Sequence, residues 1–404
     1  MKKIVSLLMA AVMIMSCIAL TACGGTENAA DNTATEATDV KIGFIFLHDE
    51  NSTYDKNFMD AATAATTAMG LTAEQVMFKT NIPESNECYE AAADLVDIGC
   101  NVIFADSFGH EDFIIQAAKE FPDVVFAHAT GTKAHTENLP NFYNAFASIY
   151  EGRFLAGVAA GMKLNEMIES GKITAEDAKM GYVGAYPYAE VKSGYTSYFL
   201  GARYACPSVT MDVKFTNSWF DIAAEKETAN ALIADGCVLI SQHADSEGAP
   251  KACEEAGVPN VAYNLDTREW GPNTALISSK INWQPYFEHL ITAVANGTEI
   301  TQDFCGGLKE DVVQTLGLND AVAAEGTEAK LAEVKEKLIS GEIKVFDTAT
   351  FTVEGATLDT YLADVDSDAA FTPDTEVIAD GYFHESEKRS APYFDIDIDG
   401  ITIK

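Results

Sequence analysis

The segment Lys41-Ile42-Gly43-Phe44-Ile45-Phe46-Leu47 decides the fold class, because this short run of β-branched and aromatic residues is followed by a helical pattern at 55–69. A second strand-like run at 75–79 and a second helical pattern at 85–98 come next. Short strands that alternate with amphipathic helices are typical of βαβ units, so the sequence predicts a parallel sheet.

The same alternation continues along most of the chain. It predicts strands at 102–105, 124–128, 181–186, 210–216, 238–242, 261–264 and 274–282, and helices at 111–120, 150–169, 190–204, 222–235, 249–256 and 285–296. Two successive runs of this kind predict an α/β protein with two doubly wound, Rossmann-like lobes and a ligand cleft between them. We expect a first lobe at 40–149 plus roughly 273–303, a second lobe at 150–272 plus roughly 304–345, and a segment at 346–404 that wraps both lobes.

The N-terminal segment has the pattern of an export signal. Lys2 and Lys3 precede an apolar run at 4–20, and Leu20-Thr21-Ala22-Cys23 resembles a bacterial lipobox. We therefore expect a signal peptide at 1–22, acylation of Cys23 and a flexible tether at 23–39, which has no aromatic or large aliphatic residue. The mature protein would be held by lipid alone at the extracytoplasmic face of the cell membrane. An ordinary signal peptide with an incidental cysteine is the alternative.

Composition and charge exclude several classes of partner. The formal net charge of −36 argues against nucleic-acid binding and against lying on an anionic membrane surface. The remaining cysteines form no C-x-x-C pair and have no histidine at zinc-ligand spacing, so we expect buried free thiols, no metal and no cofactor. These cysteines are Cys88, Cys100, Cys206, Cys237, Cys253 and Cys305.

The ends of the predicted strands supply the candidate site, because ligands of open α/β sheets bind beyond the carboxyl ends of the parallel strands. The segments there are 48–55, 106–109, 128–131, 185–187, 216–221, 241–246 and 264–266. They combine aromatic rings with short hydrogen-bonding side chains, which suit a flat, π-rich ligand with polar edges. The candidate ligand-binding residues are Tyr54, Asp55, Ser107, Phe108, His128, Asn217, Trp219, Asp245 and Asp266.

Each of these residues also has a purely structural interpretation. The rings of Tyr54, Phe108 and Trp219 are also compatible with packing in the core, and Asp55 and Asp221 with capping of helices. Short polar residues often form turns. The histidines at the strand ends, among them His128, lack the spacing of metal ligands.

Several motifs lie in or near these strand ends and in the helices between them. They are Ser107-Phe108-Gly109, His128-Ala129-Thr130-Gly131, Tyr150-Glu151-Gly152-Arg153-Phe154-Leu155-Ala156-Gly157, Gly181-Tyr182-Val183, Glu190-Val191, Leu200-Gly201-Ala202-Arg203, Thr216-Asn217-Ser218-Trp219-Phe220-Asp221, Gln242-His243-Ala244-Asp245-Ser246 and Asn282-Trp283-Gln284-Pro285-Tyr286. Together they resemble the basic membrane protein family, the substrate-binding lipoproteins of ABC importers for purine nucleosides and related bases. The resemblance covers roughly 41–303, with a looser match to residue 400.

The resemblance implies a type I periplasmic-binding-protein fold that closes on a purine. Tyr54 and Phe108 would be the rings of the first lobe and Trp219 the ring of the second. Asp245 and Asp266 would accept hydrogen bonds from the ligand, with Ser107 and Asn217 close by. The nucleoside-binding branch has Phe-Asn in place of Tyr54-Asp55 and an acidic residue in place of His128, and its binding lysine aligns with Lys280 only to within a residue. A free base such as adenine, or a modified nucleoside, is therefore favoured.

The expected function is that of a non-enzymatic, monomeric receptor that delivers a purine base or nucleoside to ABC permease and ATPase subunits. A second hypothesis is a binding protein that senses another small molecule, such as a sugar. An extracellular hydrolase is the third, but the sequence has no Gly-x-Ser-x-Gly elbow, no His-Glu-x-x-His and no paired catalytic carboxylates at recognisable spacing.

Overall fold

A computed structural model describes residues 39–404, so the predicted signal peptide, Cys23 and nearly all of the tether lie outside the described residues. The strands, in chain order, are β1 (Ile42–Ile45), β2 (Val76–Lys79), β3 (Val102–Ala105), β4 (Val125–Ala129), β5 (Phe142–Ala147), β6 (Lys179–Gly184), β7 (Thr210–Phe215), β8 (Leu239–His243), β9 (Asn260–Tyr263), β10 (Ala275–Ile281), β11 (Asp303–Gly306), β12 (Val313–Leu316), β13 (Leu362–Ala363), β14 (Thr375–Glu376), β15 (Ile378–Ala379), β16 (Tyr382–Phe383) and β17 (Ile401–Ile403).

The α-helices are α1 (Thr53–Ala68), α2 (Asn86–Asp97), α3 (Glu111–Glu120), α4 (Ala134–Glu137), α5 (Ile149–Glu169), α6 (Ala189–Ala205), α7 (Ile222–Ala234), α8 (Gly248–Ala256), α9 (Gln284–Asn296) and α10 (Thr327–Ser340). Among the helices of residues 39–404, none has both the length and the apolar composition needed to cross a membrane.

Two parallel sheets carry the fold, and we call the parts built around them the first and second lobe. The first sheet has the order β11-β5-β4-β3-β1-β2, and all its strands are parallel. The second has the order β12-β10-β9-β8-β6-β7-β17, and only β12 runs antiparallel to its neighbour. The predicted α/β class with two doubly wound lobes is confirmed.

The first strand shows why the sequence folds in this way. All four residues of β1 are buried, as expected for a parallel strand covered by helices on both faces. Gly43 lies beneath α2, where an added Cβ would come within 2.7 Å of the Leu95 side chain. On the other face α1 and α9 pack together, and the rings of Phe58 and Trp283 stack with centroids 4.4 Å apart.

The chain crosses between the lobes at positions that differ from the prediction. The sequence predicts that roughly 273–303 belongs to the first lobe, but β10 pairs with β9 and β12 in the second sheet. Only α9, which packs on α1, and then β11, which pairs with β5, return to the first lobe. Each sheet thus gains a strand after the chain has passed from one lobe to the other. The pattern of strands in the sequence does not show where these passages occur.

Helices α5 and α6 pack against each other and against strands of the second sheet. An added Cβ at Gly157 of α5 would lie 2.0 Å from the carbonyl oxygen of Tyr198, and one at Gly201 of α6 would lie 2.0 Å from that of Phe154. These two glycines therefore permit the close approach of α5 and α6. The expectation of free thiols is also confirmed, since all six cysteines in the described part of the chain are free and five are buried.

The C-terminal segment contacts both sheets. Its last strand, β17, pairs with β7 of the second sheet, while the backbone N–H of Ser390 donates to Asp303 of β11 in the first. Within the segment the rings of Phe346 and Phe394 stack with centroids 4.4 Å apart.

Candidate ligand-binding site

A cavity with about 360 Å³ of non-atom space, which includes the solvent at its mouth, lies where the carboxyl ends of β1, β3, β4 and β8 meet the starts of α1 and α6. The lining residues come from both lobes and are Leu47, His48, Tyr54, Asp55, Ser107, Phe108, Thr130, Glu190, Trp219, His243 and Asp245.

Most of the predicted residues lie together in this cavity. The structure brings Tyr54, Asp55, Ser107, Phe108, Trp219 and Asp245 to its walls. The remaining three, His128, Asn217 and Asp266, do not line it. Each of these three has a local reason for its position.

His128 lies behind the wall, fully buried, with Nε2 2.7 Å from the carbonyl oxygen of Ser107. Asn217 is exposed in a turn with φ of +58°, a backbone conformation that asparagine tolerates. Asp266 forms an ion pair with Arg268, whose Nε is 2.9 Å from Oδ2, and it lines a separate groove. The predicted hydrogen bond from the ligand to Asp266 therefore has no support in this geometry.

The prediction omitted five lining residues, namely Leu47, His48, Thr130, Glu190 and His243. The strand-end rule had selected the segments that contain His48, Thr130 and His243, but it does not separate side chains that face the cavity from those that face away. Glu190 lies in the first turn of α6 rather than at a strand end, and its signal was the Glu190-Val191 motif.

Aromatic rings stand on both sides of the cavity. In the first lobe, the Tyr54 hydroxyl donates to the carbonyl oxygen of Asp106 at 2.9 Å, which fixes the ring beside Phe58. In the second lobe, Trp219 packs edge-on against Tyr186 with centroids 5.2 Å apart. The ring faces that remain can receive a flat guest.

Asp55 is a structural carboxylate as well as a wall residue. Its Oδ1 accepts from the backbone N–H of His48 at 2.7 Å, and its Oδ2 accepts from the Ser52 hydroxyl at 2.5 Å. The N-cap of α1 is Ser52 rather than Asp55, whereas Asp221 does cap α7. Asp55 thus holds the β1–α1 loop against the cavity.

Asp245 carries a buried carboxyl group that has no hydrogen-bond partner within the described fold. Only 4% of the residue is exposed, and among residues 39–404 its side chain accepts no hydrogen bond, although it borders the cavity. Burial raises the pKa of Asp245 well above its usual value, and the nearby carboxylates Glu225, Asp55 and Glu190 add to that effect. The environment thus favours the neutral form of this carboxyl group, which has both a donor and an acceptor.

A second buried carboxyl group, that of Asp106, lies at the end of β3, below the cavity. Its pKa is also raised well above the usual range, first by burial and then by the charge of Asp55. Its Oδ1 accepts from the N–H of Leu47 at 3.2 Å, and its Oδ2 is buried without a hydrogen-bond partner. Asp106 is not among the lining residues, but it places a further buried carboxyl group next to Ser107, which is.

The nearest buried cation lies beneath the site instead of in its wall. Arg153 of α5 is 1% exposed, and its guanidinium lies 3.6 Å from the centre of the Tyr263 ring and donates to the carbonyl oxygen of Gln242 at 3.1 Å. No lysine or arginine is among the lining residues. A phosphate group would find no cation to pair with, which argues against nucleotides as ligands.

The two lobes touch around the cavity. The N–H of Thr53 at the start of α1 donates to the carbonyl oxygen of Asp245 at 2.8 Å. The rings of Phe108 and Tyr188 lie 5.5 Å apart, and those of His48 and Phe220 lie 5.4 Å apart. A guest between the rings would therefore contact both lobes at once.

Comparison with known proteins identifies this architecture. Residues 45–349 match the model of the Bmp family, described as ABC transporter substrate-binding protein, PnrA-like. The chain belongs to the Bmp family. A purine-binding protein of Brucella abortus is 31% identical over 355 residues, which cover 86% of this chain and 94% of that protein. A putative ABC transporter glucose-binding protein of Haloferax volcanii, TsgA13, is 33% identical over 251 residues, 62% of this chain and 60% of that protein.

Solved structures agree with this fold. An ABC transporter solute-binding protein from Aeropyrum pernix has a TM-score of 0.63 at 18% identity, over 76% of this chain and 93% of that chain. One from Conexibacter woesei has a TM-score of 0.61 at 18% identity, over 76% of this chain and 98% of that chain. As a Bmp-family protein, the chain is a substrate-binding protein of an ABC transporter, which implies a small-molecule ligand and permease and ATPase partners.

Proposed function

We propose that the chain captures a purine base, with adenine as the best fit, and delivers it to the permease of an ABC importer. The observation that carries this proposal is the open carboxyl group of Asp245, buried in the cavity wall. A neutral carboxyl group presents an O–H donor beside a carbonyl acceptor. Adenine presents the complementary pair, an exocyclic N–H beside a ring-nitrogen acceptor.

Stacking on Tyr54, Phe108 and Trp219 would supply the remaining affinity, at about 1–3 kcal/mol for each ring that covers a base. The absence of lysine and arginine from the lining supports an uncharged ligand rather than a nucleotide. The purine-binding relative in Brucella supports the same ligand class.

The remaining parts of the proposal concern where and how the protein works. We expect a monomer without enzymatic activity, attached through lipid on Cys23 at the extracytoplasmic face of the cell membrane. Support for the attachment comes from the sequence alone. Labelling with a radioactive fatty acid, with a Cys23→Ser chain as the control, tests it: label on the native chain only is the expected result.

A sugar is the second candidate ligand, because a relative is named as a putative glucose-binding protein. Rings combined with carboxyl groups also suit a sugar, whose faces are apolar and whose edge carries hydroxyl groups. A purine base and a sugar differ in planarity and in the hydrogen-bonding groups at their edges.

Native mass spectrometry of the chain purified without denaturation tests the proposal. We expect a fraction of the protein to carry a mass equal to one purine base, which tandem dissociation releases as that base. A retained sugar, or a chain that stays ligand-free after incubation with adenine, would contradict it.

A further inference from the structure

The loops that carry Trp219 and Asp245 are tied together by one buried carboxyl group. Glu225 lies in the first turn of α7 and is 0% exposed. Its Oε1 accepts from the backbone N–H of Asp221 at 3.2 Å, and its Oε2 accepts from the backbone N–H of Ser246 at 3.1 Å. Asp221 ends the loop that contains Trp219, and Ser246 directly follows Asp245.

Other contacts show that the two loops form one unit. The N–H of Asp245 donates to the carbonyl oxygen of Trp219 at 2.9 Å. The amide of Gln242 donates to the carbonyl oxygens of Ala244 and Ser246, each at 3.1 Å. These bonds fix the backbone, and among residues 39–404 it is Glu225 that links Asp221 at the end of one loop to Ser246 at the end of the other.

The start of α8 packs closely against Glu225 and the first turn of α7. An added Cβ at Gly248, the first residue of α8, would lie 3.1 Å from the Cβ of Glu225 and 2.4 Å from the carbonyl oxygen of Ile222. Lys226, which follows Glu225 in the chain, forms its ion pair with Glu255 on α8 and not with Glu225. Among residues 39–404 the Glu225 carboxyl group has no ion-pair partner, and its polar contacts are the backbone N–H groups of Asp221 and Ser246 together with the Ser246 side chain.

We propose that Glu225 is a positioning residue of the binding site, which holds Trp219 and Asp245 in the mutual arrangement that the ligand requires. This inference rests on the proposed function only for the identity of the ligand. Glu225 does not line the cavity, so it acts through the two loops and not by contact with the guest.

Glu385 provides a matched control in the C-terminal segment. It is also buried, it accepts backbone N–H groups from Tyr393 at 3.2 Å and Phe394 at 2.9 Å, and burial raises its pKa to about 7, as it does for Glu225. It is absent from the cavity lining. Glu385→Gln therefore reports what the loss of a buried, doubly bonded carboxylate does to stability alone.

The first test needs no ligand. Hydrogen exchange is measured on the ligand-free native chain, Glu225→Gln, Glu225→Ala and Glu385→Gln. Glu225→Gln keeps one acceptor and should make the amides of 217–221 and 244–247 exchange about tenfold faster, and Glu225→Ala, which keeps none, faster still. Glu385→Gln should leave both loops unchanged. Native exchange rates in both loops of Glu225→Gln would overturn the inference.

The second test measures adenine affinity and the unfolding temperature of the same four proteins by calorimetry. We expect Glu225→Gln to bind about tenfold more weakly, while Glu385→Gln loses thermal stability but keeps the native Kd. Equal affinity losses in both Gln variants, or loosened loops with an unchanged Kd in Glu225→Gln, would overturn the inference. If the native chain fails to bind adenine, the proposed function falls, and the exchange experiment still decides whether Glu225 ties the loops.

Discussion

In the proposed function, Asp245 is the residue that recognises the hydrogen-bonding edge of the base. If its neutral carboxyl group presents a donor and an acceptor to adenine, an asparagine side chain can present the same pair. We predict that Asp245→Asn keeps the affinity for adenine within about tenfold, whereas Asp245→Ala loses about a hundredfold. Titration calorimetry of both variants measures this difference.

Asp266 is the control for that experiment, because Arg268 pairs with its carboxylate outside the cavity. Asp266→Ala should bind adenine as the native chain does. If Asp245→Asn loses as much affinity for adenine as Asp245→Ala does, an ionised carboxylate is required. That result would contradict recognition by the neutral acid.

Trp219 is the ring that the second lobe supplies. We predict that Trp219→Ala abolishes most of the affinity for adenine, because one stacking face is worth about 1–3 kcal/mol and the loop also loses its contact with Tyr186. The control is Trp270→Ala, since Trp270 lines the separate groove near Asp266. An unchanged Kd in Trp219→Ala, measured by calorimetry, would refute its place in the site.

Sequence reasoning selected loops that border the cavity, but it could not predict which side chains in each loop face it. His128 and Asp245 both come at or just after a strand end, yet one lies behind the wall and the other in it. Side-chain direction at these positions depends on the local turn, which the sequence pattern does not fix. For Asp266 a signal was present, because Arg268 stands two residues later and can neutralise it locally.

At the scale of elements, strand and helix rhythm predicted β3 and α3 with their observed bounds, while β5 was missed. The connection from β4 to β5 contains only the four-residue α4, so it breaks the strand–helix alternation on which the prediction depended. The alternation of strands and helices also could not predict which sheet β10 and β11 join, because strand pairing after a crossover depends on tertiary packing.

The docking of the C-terminal segment should depend on pH through Glu385. Burial raises its folded-state pKa to about 7, above its ordinary value of 4.5. The neutral form is thus favoured in the folded protein, so this stabilisation is complete below about pH 4.5 and is lost as pH rises through about 7. We predict that the free energy of unfolding of the native chain falls more steeply from pH 5 to 7 than that of Glu385→Gln, by at most about 3 kcal/mol.

Urea denaturation of the two proteins at several pH values measures that difference. Native-like ligand affinity in Glu385→Gln is the accompanying control for an intact fold. Parallel stability curves for the two proteins would show that Glu385 does not titrate in this range.

At the scale of the whole molecule, ligand release requires the contacts between the lobes to break. Tyr188 of the second lobe meets Phe108 of the first at 5.5 Å, and it is 43% exposed, so its removal should not disturb folding. We predict that Tyr188→Ala releases adenine several-fold faster with little change in the association rate, because contacts between the lobes form after the encounter.

Stopped-flow fluorescence measures both rates, with Tyr204→Ala as the control, since Tyr204 is similarly exposed but lies at the opposite end of α6. A dissociation rate equal to that of the native chain would show that this ring contact does not hold the lobes closed.

The central claim is that two lobes of one chain clamp a flat, uncharged purine between rings and a neutral carboxyl group. Isothermal titration of the native, ligand-free chain with adenine and, separately, with glucose tests it most directly. The account predicts one adenine bound per chain with a micromolar or tighter Kd and no measurable heat from glucose. Glucose binding with no response to adenine would contradict it.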